Sequence, residues 1–266
     1  MARSSPKSIF LKGNNLDLVI GWQNSDPSGL YYKLLRTFLC SLLLRGYFLR
    51  MNSRKTSDVL TDLLEAKKQI VRNYPEGIHP TADSVSDLIK GTAAFGVGPG
   101  LKCGKGNGKA WPELFPESPL HIFAHNWGNQ RMLKKAQEAG GEADGVFWRR
   151  LIDFLERAEF DPANTHTTNV LQGIKSGPAA GNMSSDPTFL SQCLEYLREQ
   201  VRIVQPRLIV TLGATSACLC RKADQQHRLG VEIITIMHPS TRARNWGGTY
   251  EAWVETQAKR LREALK

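Results

Sequence analysis

The chain has 266 residues, of which 41% are hydrophobic and 23% are charged, a composition typical of a globular protein with one large domain, or one domain and an extension. Its formal net charge of +10 favours an anionic partner such as nucleic acid, although charge alone fits a generic basic protein equally well. The five cysteines form no CxxC pair, which argues against a zinc site and indicates reduced thiols.

The first 50 residues differ in pattern from the rest of the chain. Residues 16–20 resemble a short strand, and the Asp-Pro-Ser-Gly sequence at 26–29 is a turn signal. Three basic residues interrupt the apolar run at 30–49, which argues against a membrane-spanning helix, since such a helix needs ~20 predominantly apolar residues. We therefore hypothesise that residues 1–50 are a dispensable extension and that the functional domain is residues 51–266.

Residues 51–119 contain one clear helical pattern and a long stretch of loop signals. Apolar residues recur at helical spacing between residues 57 and 74, whereas residues 75–119 are rich in glycine and proline. The Gly/Lys-rich run at 96–109 fails the phosphate-loop pattern because Gly106 and Ala110 stand where Ser or Thr is required. This run is predicted to be either a basic loop that touches a phosphate backbone or a plain solvated loop.

From residue 118 onward, apolar strands alternate with helices. Strands are predicted at 120–124, 165–171, 207–212 and 231–237. Helices are predicted at 129–139, 146–158, 187–204 and 249–265, with a short helix after residue 213 and a loop at 173–187. This alternation predicts an α/β fold, a three-layer α/β/α sandwich around a mainly parallel four-stranded central sheet.

Three polar residues stand where predicted strands end. Asn126 and Asn169 follow two of these strands, and His238 closes a third, because Pro239 has no N–H and disfavours helical geometry in the residue before it. The carboxyl ends of parallel strands form the edge at which ligands bind, so we expect the three to share a cleft. Taken singly, each asparagine also fits a turn or helix cap, and the histidine also fits a structural residue.

Four segments of this region resemble, in order and spacing, motifs of the uracil-DNA glycosylase superfamily. LHIFAHNWG at 120–128 resembles its first motif, an apolar strand followed by G-x-D/N-P, and TNV at 168–170 resembles its base-reading strand. CLEYL and QPRLIVTLG within 193–213 resemble a helix–strand segment, and HPS at 238–240 resembles the second catalytic motif. The continuation TRARNW is closest to the single-strand-selective monofunctional branch. The chain is therefore identified as a member, with its motif-bearing core at 118–266.

The resemblance implies a monofunctional DNA glycosylase of base excision repair, which flips uracil or a related damaged base out of single- or double-stranded DNA. It implies that Asn126 positions the attacking water, that His238 stabilises the departing base and that Asn169 reads the amide edge of the base. Trp127 and Phe147 are candidates to stack on the base, although each also fits core packing. The DNA-contacting residues implied are Ser240, Thr241, Arg242 and Arg244, with Arg242 as a wedge in the base stack.

The first motif departs from the family pattern. Ala124 replaces the usual glycine, Trp127 replaces proline, and Asn126 stands where some branches have a general-base aspartate. These departures leave open a rival interpretation, a nucleic-acid-binding member of the fold that has lost excision. A small-molecule hydrolase is a third interpretation, supported only by the expected cleft.

The cysteines indicate whether the chain could bind an iron–sulfur cluster, because the members of one branch of the superfamily bind such a cluster through four cysteines. Cys193 matches one ligand position and Cys103 is a candidate for another, but Gly173 stands near the place of a third. We therefore predict no cluster, no metal and no organic cofactor. We further expect a monomer without membrane contact, located in the cytoplasm with the nucleoid in a bacterium or in the nucleus of a eukaryote.

Overall fold

The structure is a computed structural model that describes residues 9–13, 16–20, 54–80, 113–126, 129–131, 134, 146–177, 182–239 and 248–266. The chain divides into two compact units, residues 1–52 and 53–266. In the first unit, strands β1 (Ile9–Gly13) and β2 (Leu16–Ile20) form an antiparallel hairpin in which Ile9 lies opposite Ile20. The strand predicted at 16–20 is confirmed, whereas its partner strand β1 was not predicted from the sequence. The apolar run at 30–49 lies outside the described residues, and the dispensability of residues 1–50 stays a prediction.

The second unit alternates strands and helices as the sequence predicts. Its elements in chain order are α1 (Thr56–Ile70), β3 (Ile78–Pro80), β4 (Leu120–Ala124), α2 (Val146–Arg157), β5 (Thr165–Asn169), β6 (Gly173–Lys175), α3 (Pro187–Val204), β7 (Leu208–Leu212), α4 (Gly213–His227), β8 (Ile233–Ile236) and α5 (Tyr250–Ala264). Single 3-10 turns occur at Pro162–Asn164 and Met183–Ser185. None of the described helices combines the length and the apolar content needed to cross a membrane.

A four-stranded sheet in the order β5-β4-β7-β8 forms the centre of the second unit. Every neighbouring pair in it is parallel, with Leu120 opposite both Thr165 and Leu208. One face packs against α2 and α5, and the other packs against α3 and α4. The predicted three-layer α/β/α sandwich with a parallel central sheet is therefore confirmed.

Helix α1 adds a further layer outside α3. Its apolar residues Val59, Leu60 and Leu63 form a buried cluster with Ile203 and Val204 at the end of α3. The hydroxyl of Tyr196, also in α3, donates a hydrogen bond to the Leu63 carbonyl oxygen at 3.0 Å. The periodicity predicted helix to residue 74, but α1 ends at Ile70, after which the chain turns toward β3.

Two edge strands differ from the predictions in burial and length. β5 has the polar sequence THTTN, yet all five of its residues are buried. The strand predicted at 231–237 is shorter than expected, since β8 covers only Ile233–Ile236, and its first three residues are half-buried.

A short antiparallel ribbon crosses two regions that the sequence predicts to be loops. β3 pairs with β6, and Ile78 lies opposite Lys175. The prediction of loop structure throughout 75–119 and 173–187 is wrong at these strands. Strands of three residues are too short to produce a recognisable alternation, so only the pairing itself reveals them.

Capping signals place the ends of α3, the longest described helix. The carboxylate of Asp186 accepts a hydrogen bond from the Phe189 N–H at 2.7 Å, and Pro187 occupies the first turn, where its missing N–H costs nothing. The helix ends at Gln205, whose φ of 49° is left-handed, just before Pro206. Helix α4 follows β7 without a linker and spans 15 residues, so the predicted short helix is longer than expected.

Candidate active site

Because all four sheet strands are parallel, their carboxyl ends meet at one edge of the sheet. Asn169 is the last residue of β5 and pairs in register with Ala124, the last residue of β4. Asn126 follows β4 by two residues, and His238 follows β8 by two residues. The fold therefore brings the three strand-end residues singled out in the sequence to the same edge.

Main-chain hydrogen bonds continue the pairing of β4 and β5 past the ends of the strands. The N–H of Val170 donates to the Ala124 carbonyl oxygen at 2.9 Å, and the N–H of Leu171 donates to that of His125 at 3.0 Å. Asn169 is only 4% exposed, and its main-chain carbonyl oxygen accepts a hydrogen bond from the side-chain amide of Gln172. These bonds fix the backbone that carries Asn126 against the backbone that carries Asn169.

The imidazole of His238 is half-buried between an aromatic ring and a glycine. The ring centroid of Phe147, in the first turn of α2, lies 5.3 Å from that of His238. Gly213 has a φ of 84°, and a Cβ atom there would lie 3.3 Å from the Cβ of His238, so a side chain at this position would press on the histidine. Phe147, a predicted stacking residue, thus packs against the predicted catalytic histidine and also against the core.

Helices α2 and α5 hold the backbone on both sides of His238. The guanidinium of Arg150 donates to the Pro239 carbonyl oxygen at 2.8 Å and lies 5.6 Å from the ring centroid of Tyr250. The hydroxyl of Tyr250 donates to Asp153 Oδ2 at 2.7 Å. On the other side, the N–H of Met237 donates to the Gln257 side chain at 3.0 Å.

His125 belongs to the same site, although the sequence reasoning gave it no role. It is half-buried, and its imidazole lies close enough to that of His238 for a charge on His125 to lower the pKa of His238. Burial and the positive charge of Lys175, at the end of β6, lower the pKa of His125. The sequence carried one signal for it, since it directly precedes Asn126.

The protonated, cationic form of His238 is also disfavoured. Burial lowers the pKa of His238, and a charge on the neighbouring His125 lowers it further. Both imidazoles are therefore neutral at neutral pH. A neutral imidazole carries one N–H donor and one lone-pair acceptor, so His238 can donate a hydrogen bond to a developing anion without first taking up a proton.

Five of the predicted site residues lie outside the described part of the chain: Trp127, Ser240, Thr241, Arg242 and Arg244. Their predicted roles in stacking and in DNA contact stay predictions. Among the described residues, the predicted site residues are Asn126, Phe147, Asn169 and His238.

Cys193, the one cysteine matched to a cluster ligand, lies in the apolar core. Its side chain is buried between α3 and the sheet, and its Sγ accepts a hydrogen bond from the Gln172 N–H at 3.5 Å. Burial raises the pKa of Cys193 to about 12. A Cβ at Gly173 would lie 2.4 Å from Ile78 Cγ2, so a cysteine there would clash.

A comparison with protein families finds a match to the family described as the uracil DNA glycosylase superfamily, over residues 122–262. The matched segment covers more than half of the chain, from within β4 to within α5, and contains Asn126, Asn169 and His238. A comparison with curated proteins finds no match.

Proposed function

Since the chain belongs to the uracil DNA glycosylase superfamily, we propose that it is a monofunctional DNA glycosylase that removes uracil or a related damaged base from DNA. The observation that supports this most is the meeting of Asn126, Asn169 and His238 at one edge of the parallel sheet. Base excision requires three kinds of group: an amide that hydrogen-bonds to the base, an amide that positions a water, and a neutral imidazole that donates to a developing anion.

In the proposed reaction, the bond between the sugar carbon C1′ and the base nitrogen breaks, and its electron pair leaves with the base. Water attacks C1′, and its proton passes to solvent. The amide of Asn126 orients this water, and an N–H of His238 donates to the base oxygen on which the negative charge develops. The amide of Asn169 offers one donor and one acceptor, which match the O4 and N3–H of uracil.

The proposed partner is DNA, single- or double-stranded, and flipping the target nucleotide costs a few kcal/mol. Arg242 is proposed to fill the space that the flipped base leaves in a duplex. A single strand has little stacking to replace. Arg242→Ala is therefore expected to slow excision from duplex DNA more than from a single strand, and equal losses on both substrates would contradict the wedge role.

A second candidate is a DNA-binding member of the fold without excision activity. Ala124 and Trp127 favour it, because both depart from the first motif of the family beside the residue proposed to hold the water. A gel assay separates the two candidates: an oligonucleotide with one uracil is incubated with the protein and then treated with alkali, which cleaves at abasic sites. Strand cleavage supports the glycosylase, and binding without cleavage supports the second candidate. Oligonucleotides with hypoxanthine, xanthine or a modified uracil then define the preferred base.

A further inference from the structure

We propose that a basic surface on the β4–β5 side of the sheet edge binds phosphate groups of the DNA strand that carries the target nucleotide. This surface, the basic rim, consists of Arg131, Lys134 and Lys175. The inference rests on the proposed function, because it takes DNA as the partner of this edge. It adds a second contact region to the one expected at residues 240–244, which follow β8.

The main-chain path after β5 places Lys175 at this edge. The N–H groups of residues 170 and 171 donate to the carbonyl oxygens of residues 124 and 125 at the end of β4. The chain then forms β6, and Lys175 at its end makes a parallel bridge with Asn129. Bridged backbones lie ~4.8 Å apart, so Lys175 stands beside the chain three residues beyond Asn126.

The side chain of Lys175 points away from the core. Ile174, the residue before it, is buried in the cluster on the α2 side of the sheet. Successive side chains of a strand point to opposite sides, and Lys175 is half-buried. The Ser176 N–H donates to the Gly77 carbonyl oxygen at 2.9 Å, which holds this end of the ribbon. The effect of the Lys175 charge on the pKa of His125 agrees with this position beside the site.

The two segments that meet at the bridge are uniformly basic. Residues 124–134 and 169–177 contain the three residues of the basic rim and no Asp or Glu. Arg131 and Lys134 are exposed and follow Asn129 by two and five residues. Glu76, exposed one residue before Gly77, opposes only part of this charge. An excess of positive charge attracts an anionic strand, and a lysine binds phosphate as a point charge.

The basic rim and His238 lie on opposite sides of the sheet edge. β5 is the outermost strand on one side, and β8 is the outermost strand on the other. Three strand spacings of ~4.8 Å separate them, about 14 Å in all. Phosphates of one DNA strand recur every ~3.4 Å along a duplex, so this distance corresponds to about four nucleotides. A strand that crosses the edge therefore places phosphates over the basic rim on one side of the target and over the segment after β8 on the other.

The test is the salt dependence of binding to an undamaged duplex, measured by fluorescence anisotropy. Lys175→Gln removes one cation, so the slope of log affinity against log salt concentration should become shallower by about 0.9, the contribution of one phosphate. Arg131→Gln should do the same, and the double variant should lose about 1.8. Lys175→Arg keeps the charge and should keep the slope. Thermal melting of each variant shows whether it is folded.

Lys55→Gln is the matched control. The Lys55 side chain is exposed, makes no capping hydrogen bond and precedes α1, whose first turns pack against the end of α3. The end of α3 leads into the start of β7, so Lys55 stands toward the opposite edge of the sheet. This substitution removes the same charge and should leave the slope unchanged.

Single-turnover excision separates phosphate binding from a part in the chemistry. At saturating protein, Lys175→Gln should excise uracil at the wild-type rate. At about 0.1 M salt it should require about eightfold more protein for half the maximal rate, since a slope difference of 0.9 over one decade of salt is a factor of about eight. A lower rate at saturating protein with an unchanged slope would assign Lys175 to the chemistry and overturn the inference.

The remaining outcomes separate this inference from the proposed function. If the wild-type protein neither binds nor cleaves, the proposed function fails, and the basic rim fails with it. If the wild type binds and excises, but Lys175→Gln and Arg131→Gln change the slope no more than Lys55→Gln does, the basic rim is a set of solvated charges and only this inference fails. If Lys175→Gln melts early, the exposed Arg131 alone decides. A shallower slope without excision supports the basic rim and the second candidate function.

Discussion

At the scale of single residues, the environment of His238 decides what this side chain can do. A neutral imidazole donates one hydrogen bond and keeps one lone pair, and burial favours this form of His238 because it lowers the pKa of the ring. The contact with the Phe147 ring limits the orientations of the imidazole. A donor fixed before the reaction begins requires no reorganisation when negative charge appears on the base.

His238→Ala should therefore slow excision far more than it destabilises the protein. Loss of a preorganised donor costs roughly 2.7–4 kcal/mol of transition-state stabilisation, or a ~100- to 1,000-fold slower chemical step. The side chain is half-buried and outside the main core, so the loss of packing is small. Single-turnover excision and thermal melting should be measured side by side. A rate that falls less than about fivefold, or only because the protein unfolds, would make His238 structural.

Asn169→Asp should change base choice more than it changes the fold. An ionised carboxylate offers only acceptors, so it loses the donor that meets the uracil O4, and uracil excision should fall. Only where this aspartic acid is protonated in the site does it again have one donor beside an acceptor. That acid could pair with cytosine and permit weak cytosine excision. Rates on matched uracil and cytosine oligonucleotides test this, and unchanged uracil excision would remove Asn169 from the site.

At the scale of elements, helix α2 contacts the segment around His238 through two side chains that lie one turn apart. Phe147 packs on the His238 ring, and Arg150 binds the carbonyl of the next residue, Pro239. Tyr250, the first residue of α5, lies against the Arg150 guanidinium and is bonded to Asp153 of α2. The position of the histidine thus depends on the packing of two helices on the same face of the sheet.

Arg150→Ala should lower both stability and excision rate, because it removes a charged donor from a backbone carbonyl. Hydrogen bonds to charged groups contribute about 1.5–3 kcal/mol, and a displaced His238 should slow excision by about tenfold or more. Arg149→Ala is the matched control. The Arg149 side chain is exposed, and this substitution removes the same charge from the same helix. Urea unfolding and single-turnover excision measure both effects. Equal changes in the two variants would show that net charge, and not the bond to Pro239, is responsible.

At the scale of the whole molecule, the central sheet buries polar strands as well as apolar ones. His121 of β4 lies opposite His166 of β5, with ring centroids 4.6 Å apart, and both are fully buried. Neither ring nitrogen of His121 has a hydrogen-bond partner among the described residues. Burial, and then the charge of His166, lower the pKa of His121 well below its usual value of 6.5.

The protein should lose stability as the pH falls below about 6.5. In that range the unfolded chain takes up a proton at residue 121 that the folded protein does not, so the free energy of unfolding falls until the pH reaches the folded pKa. The lowered pKa values of His125 and His238 act in the same direction.

Urea unfolding at pH about 7.5 and about 5.5, for wild type and His121→Phe, measures this contribution. Phenylalanine is apolar and similar in shape, so the variant should lose less stability between the two pH values. An equal loss in both proteins would exclude His121 as a cause, since the carboxylates contribute equally to each.

The net charge of +10 should make DNA binding strongly dependent on salt. Each phosphate that the protein neutralises on duplex DNA contributes about −0.9 to the slope of log affinity against log salt concentration. Fluorescence anisotropy with an undamaged duplex at several salt concentrations gives this slope. An affinity that does not change with salt would exclude a phosphate-based interface.

The sequence by itself determined the α/β class, the sheet strands, most helix ends and the three strand-end residues of the site. These features follow from signals within a few residues: apolar runs, the Asp186 cap, and Pro239 directly after His238. Only the tertiary structure decided the β3–β6 ribbon, the proximity of His125 to His238, and the bond from Arg150 to Pro239. The last of these joins residues 89 positions apart. Such contacts form when elements distant in the sequence pack together. Local hydrophobic periodicity indicates which face of an element is buried, but it does not indicate which other element packs against that face.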